Sequence, residues 1–181
     1  FRGFIGDDDG VLPSSLDNMV KHLRHCSSEV IVAGSASYEW PKHGNDPQLQ
    51  LIHYNKQDND LRPKVMKDLG AFRFSRTFPM PYNRAVFSKS IESRVRESNN
   101  GAFLNSRTPD INGGAILSTF SKSIESFNEV VFIHGASATS NGDLGKVGSA
   151  PLEHSELSKI QFLEFLGDGI GTSSVLQYIE P

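Results

Sequence analysis

Near the start of the chain, Phe4-Ile5-Gly6-Asp7-Asp8-Asp9-Gly10-Val11-Leu12 runs an apolar pair into three consecutive carboxylates, then closes on a glycine, a second apolar pair and Pro13. This stretch reads as a buried strand ending in an acidic turn. Adjacent carboxylates repel one another and are poor strand formers, so local stability does not explain them. A hard divalent cation does, because oxygen ligands at a strand end neutralise its charge and hold a phosphate opposite. A merely solvated acidic turn needs neither the apolar lead-in nor the close at Gly10.

At 181 residues, 37% of them hydrophobic and 22% charged, the chain can build one domain with a proper core. Its net charge of −3 and pI near 6.1 argue against a nucleic-acid partner, and its Lys and Arg form no basic stripe. A single cysteine, Cys26, excludes an internal disulfide framework and fits a reducing, cytoplasmic compartment. Cys26 falls on the apolar side of a predicted helix, where core packing is its expected role. No apolar run approaches the roughly 18 residues of a membrane span. An integral membrane protein is therefore not expected, although association with the cytoplasmic face of a membrane stays compatible. The opening residues read as mid-strand, which predicts a fragment with more chain upstream.

The remaining pattern is α/β. Ser14 or Ser15 can cap a helix running to about Cys26, with Leu16, Met19, Val20 and Leu23 at helical spacing. Residues 29–36 (EVIVAGSA) read as a strand, and 48–54 (QLQLIHY) as a strand inside an irregular, aromatic-bearing segment over 37–62. A short helix follows over 62–69. A proline-punctuated approach (Phe78-Pro79-Met80-Pro81-Tyr82-Asn83) then leads to a helix over 88–98 that ends at Asn99-Asn100-Gly101. Pro109-Asp110 opens a helix through about residue 126, with Ile111, Ala115, Ile116, Phe120 and Ile124 as its buried stripe. Residues 129–134 (EVVFIH) form the next strand. The heptapeptide FSKSIES occurs at 87–93 and again at 120–126, which predicts two similar amphipathic helices rather than a repeat array. Residues 1–150 are expected to carry the catalytic centre. Residues 151–181 are expected to add a helix over 153–166 and a Gly- and Ser-rich tail.

The stretch GDDDGVLP, followed by a helix, a strand and Tyr38-Glu39-Trp40-Pro41, resembles the metal-binding centre of nucleotide-sugar-dependent glycosyltransferases of family 2, which have the GT-A fold. The resemblance continues through Pro79-Met80-Pro81-Tyr82-Asn83, Ser106-Arg107-Thr108-Pro109-Asp110, and Gly135-Ala136-Ser137 with Ser140-Asn141-Gly142. It covers residues 4–142 in the family's order and implies a GT-A-like mixed sheet flanked by helices. Only six residues precede Asp7, so the nucleotide-binding half is expected to be missing. The implied activity is inverting transfer of a sugar from a nucleotide-sugar donor to a hydroxyl acceptor, in polysaccharide or glycan assembly. The resemblance makes Asp9 a direct ligand of Mn²⁺ or Mg²⁺, Asp7 a contact of the metal shell or ribose, and Asp110 the base that deprotonates the acceptor. Substrate contacts are assigned to Asp8, Trp40, Tyr82, Asn83, His134, Ser140 and Asn141. On residue type alone, Trp40 is a packing anchor, Asp110 a helix cap and His134 a satisfied strand-end histidine.

Asp7-Asp8-Asp9-Gly10-Val11 also looks like the opening motif of haloacid-dehalogenase-type phosphohydrolases, with Asp7 as nucleophile, Gly34-Ser35 as second motif and Gly167-Asp168-Gly169 as fourth. Thr172 stands where that fourth motif needs a carboxylate. An EF-hand loop fits worse, since Val11 and Asn18 occupy ligand positions. A truncated, non-catalytic sugar- or partner-binding domain is the third possibility.

Overall fold

The structure is a computed structural model that describes residues 1–40, 46–53, 58–71, 73–82, 84–104 and 109–136. Asn83, Ser140, Asn141, Asp168 and everything assigned to 151–181 lie outside the described residues. A mixed open sheet forms the middle layer, in the order β1 (Gly10–Val11), β5 (Ile124–Ala136), β2 (Val30–Glu39), β3 (Gln48–His53), with β4 (Ala85–Phe87) also paired to β2. Here β2 runs parallel to β5 and antiparallel to β3 and β4, while β1 runs antiparallel to β5.

Alternation along β2 explains the layering. Val30 and Val32 face one core with Ile124, Phe87 and the apolar sides of α2 (Arg62–Gly70), α3 (Lys89–Ser98) and α4 (Pro109–Phe120). Ile31 and Ala33 face a second core with Val131, Phe132 and Met19 of α1 (Pro13–Leu23). A strand buried on both faces reads as a continuous apolar run, as 30–33 does.

Several predicted boundaries are corrected. Phe4 and Arg2 make only isolated bridges, to Tyr82 and Phe87, and the strand lies after the acidic turn. In α1 the cap is Leu12 without a side-chain hydrogen bond, and Pro13 supplies the pre-set φ of the first turn, so Ser14 and Ser15 sit inside the helix. The helix predicted to reach 126 stops at Phe120. The two FSKSIES copies therefore differ. In the first, Phe87 ends β4, Ser88 caps α3 through its Oγ, and the rest is helical. In the second, Phe120 ends α4 and Ile124-Glu125-Ser126 begins β5. Val30 lies between them, paired with Phe87 on one side and Ile124 on the other. Pairing with β2 thus overrides a local sequence identical in both places.

The face α4 buries also differs from the predicted stripe. Gly113, Gly114, Leu117 and Ser118 are buried, while Ile111, Ala115, Ile116 and Phe120 are half-buried. A Cβ at Gly114 would stand 2.4 Å from the Phe78 ring, and one at Gly113 2.5 Å from Pro81. The glycines let the helix approach the 78–81 segment closely.

Candidate functional site

The acidic turn stands at the carboxyl end of the parallel pair β2–β5. Gly10 pairs with Ile133 and Val11 with Phe132, which fixes Asp7-Asp8-Asp9 beside His134 and Gly135. The tie is Asp9: its Oδ2 accepts from the Gly6 N–H at 2.8 Å and its Oδ1 from the Gly135 N–H at 2.9 Å. His134 Nδ1 lies 3.4 Å from the same Oδ1, and the Asp9 side chain is only 4% exposed. Gly135 is pressed against the turn so closely that a Cβ there would fall 1.8 Å from the Asp8 carbonyl oxygen. Asp7 is exposed, and Asp8 is half-buried.

Two aromatic groups flank this edge. Trp40 directly follows Glu39, the last residue of β2, which pairs with Ala136. It is 46% exposed and meets Tyr38 edge-on at 5.0 Å, so it is a surface ring rather than a buried anchor. Tyr82 stacks on Phe4 at 5.3 Å, and the Phe4 N–H donates to the Pro81 carbonyl, which fastens the lead-in of the turn to the 81–82 segment.

Asp110 lies inside the first turn of α4, after Pro109, and so is not its cap. Its carboxylate acts on the half-buried Arg84: burial pushes that guanidinium below its ordinary value, and the charge of Asp110 opposes the shift. Arg84 Nε is buried without a hydrogen-bond partner among the described residues. Gly113, three residues beyond Asp110 in α4, lies against Pro81, whose carbonyl accepts from the Phe4 N–H just before the acidic turn.

A second cluster escaped sequence reasoning. His22 in the last turn of α1, Cys26 just beyond it and Glu125 near the start of β5 bring their ligand atoms within 4.8 Å of one another. His22 Nε2 contacts Glu125 Oε1 directly, and Ser28 Oγ donates to Glu125 Oε2 at 2.6 Å. Burial, and then the charge of Glu125, push the Cys26 thiol up from its ordinary value. The i, i+4 spacing of His22 and Cys26 was the available signal, and Glu125 was hidden in a segment predicted as helix.

No protein-family model, no curated protein and no solved structure matches this chain. Among the described residues, no helix is long and apolar enough to cross a membrane.

Proposed function

We propose that the chain carries the catalytic-centre and acceptor side of an inverting glycosyltransferase resembling family 2 and the GT-A fold. It would work on a nucleotide-sugar donor and a hydroxyl acceptor at the cytoplasmic side of a membrane or in the cytoplasm. The observation that carries this reading is the joining of the acidic turn to the end of β5 through Asp9 and Gly135, with Trp40 leaving the adjacent end of β2. Ligands of open α/β sheets bind outside the carboxyl ends of the strands, and this is such an edge.

The turn offers hard carboxylate oxygens, with Asp7 exposed and Asp9 held by two backbone N–H groups and beside His134, although among the described residues its side chains do not converge as a group of three donors. Asp7 and Asp9 would hold Mn²⁺ or Mg²⁺, which when bound offsets the charge developing on the departing nucleoside diphosphate. Asp110 takes the proton of the acceptor hydroxyl. The acceptor oxygen then bonds to the anomeric carbon as the bond from that carbon to the diphosphate breaks, and the electron pair leaves with the diphosphate. Arg84 gives Asp110 a cationic neighbour. Asp8, Trp40, Tyr82, Asn83, His134, Ser140 and Asn141 would line the donor and acceptor subsites, with Trp40 offering an open face on which a sugar or base can stack.

The test is release of nucleoside diphosphate from UDP- or GDP-sugars in the presence of Mn²⁺ and a saccharide acceptor. Release that Asp110→Asn lowers at least about a hundredfold, the usual scale of a lost general base, supports the reading. Release unaffected by that change, or hydrolysis of a phosphomonoester that Asp7→Asn abolishes, refutes it.

A further inference from the structure

We propose that His22, Cys26 and Glu125 form a transition-metal site, distinct from the acidic turn, that binds Zn²⁺ through one imidazole nitrogen, one thiolate and one carboxylate oxygen. The three residues come from α1, the turn just beyond it and β5, which meet at the opposite end of the sheet from the acidic turn. Glu125 pairs with Ile31 near the start of β2, whereas the acidic turn sits by Gly135, opposite Tyr38. The seven steps along β2 from Ile31 to Tyr38 put about 23 Å between the two sites.

Three features argue for a built site. The ligand atoms lie within 4.8 Å of one another, against edges of about 3.3–3.6 Å for a tetrahedron with Zn–N, Zn–O and Zn–S lengths of about 2.0–2.3 Å. Cys26 Sγ makes only long contacts of 4.0 and 3.9 Å to the Leu23 and Ser28 carbonyls, so little holds it back from an ion, and the direct His22–Glu125 contact would open to admit one. Next, Glu125 is already oriented by the Ser28 hydroxyl, the kind of outer partner that holds a ligating carboxylate in place. Finally, the cluster faces a pocket of about 390 Å³ lined also by His25, Ser27 and Asn59, which leaves a fourth position open to water, an anion or the His25 ring.

The donor chemistry selects the ion. A thiolate beside an imidazole favours Zn²⁺ over Mg²⁺ or Mn²⁺, and thiolate plus carboxylate exactly balance its double charge. A plain hydrogen-bonded His–Glu pair needs neither the cysteine nor the pocket.

The experiment titrates the metal-free full chain with Co²⁺ and then Zn²⁺. One thiolate-bound Co²⁺ per chain is expected, read as a thiolate-to-cobalt charge-transfer band that saturates at one equivalent and that Zn²⁺ displaces. Cys26→Ser should abolish the band, His22→Ala should weaken Zn²⁺ binding at least about tenfold, and Ser28→Ala should weaken it about 10–100-fold while the band persists. Asp7→Asn should leave the charge-transfer band unchanged. Because Cys26 is the only cysteine, Zn²⁺ should also protect the unmodified chain from alkylation by iodoacetamide, a readout that needs no variant. Absence of the band together with absence of protection overturns the proposal, as does a band that survives Cys26→Ser.

Discussion

Asp7 and Asp9 are two residues apart and predicted to do related work, yet their surroundings separate them. Asp9 is nearly enclosed and spends an oxygen on each of two backbone N–H groups, whereas Asp7 faces water. Asp9→Asn leaves one of those donors facing an amide NH₂. We expect it to cost about 1–3 kcal/mol in urea unfolding, and Asp7→Asn to stay within about 0.5 kcal/mol. Equal unfolding midpoints for the two variants would contradict this division. At Cys26 the sign also follows from the surroundings. Its folded pKa is raised, so the metal-free chain draws stability from the protonated thiol fully below the unfolded pKa, and loses it as pH rises through the folded one. Alkylation at pH 8 in the presence of a chelator should be slower in the folded chain than in urea, and Glu125→Gln should speed it by removing a charge that opposes the thiolate. A folded-state rate equal to that in urea would contradict the assignment.

The elements show where local sequence loses to context. Local sequence locates α1, α2 and α3 by apolar residues at helical spacing, β2 by its continuous apolar run and β3 by the alternation of Leu49 and Leu51. It does not locate β4 or the start of β5, since both depend on pairing with Val30 across the sheet. The repeated heptapeptide provides a controlled test. Ser88 caps α3 by accepting from the Ile91 N–H, whereas the equivalent Ser121 carries a buried hydroxyl with no partner among the described residues. Ser88→Ala should cost about 1 kcal/mol, and Ser121→Ala should be neutral or slightly stabilising, as read by thermal unfolding. In α4, Gly114→Ala should destabilise by about 1–3 kcal/mol, although alanine is the better helix former by about 1 kcal/mol, because its methyl meets the buried Phe78 ring. A stabilised Gly114→Ala variant would show that α4 and Phe78 can move apart.

For the whole molecule, the α/β class was readable from the order of apolar runs, and the acidic turn was readable as a place of unusual charge. Its attachment was not, because Asp9 and Gly135 are 126 positions apart and the contact exists only once β1 pairs with β5. The His22–Cys26–Glu125 cluster was hidden for the same reason, its carboxylate coming from a segment whose strand character is set by β2. The resulting architecture puts an oxygen-donor turn at one end of the β2–β5 pair and a nitrogen, sulfur and oxygen cluster at the other. The measurement that tests the central claim most directly is calorimetric titration of the chain with UDP- and GDP-sugars, with and without Mn²⁺. The account predicts saturable binding of at least one of them that requires Mn²⁺ and disappears in Asp7→Asn, while Cys26→Ser leaves it intact. Donor binding that is indifferent to Mn²⁺ and to Asp7 would contradict it.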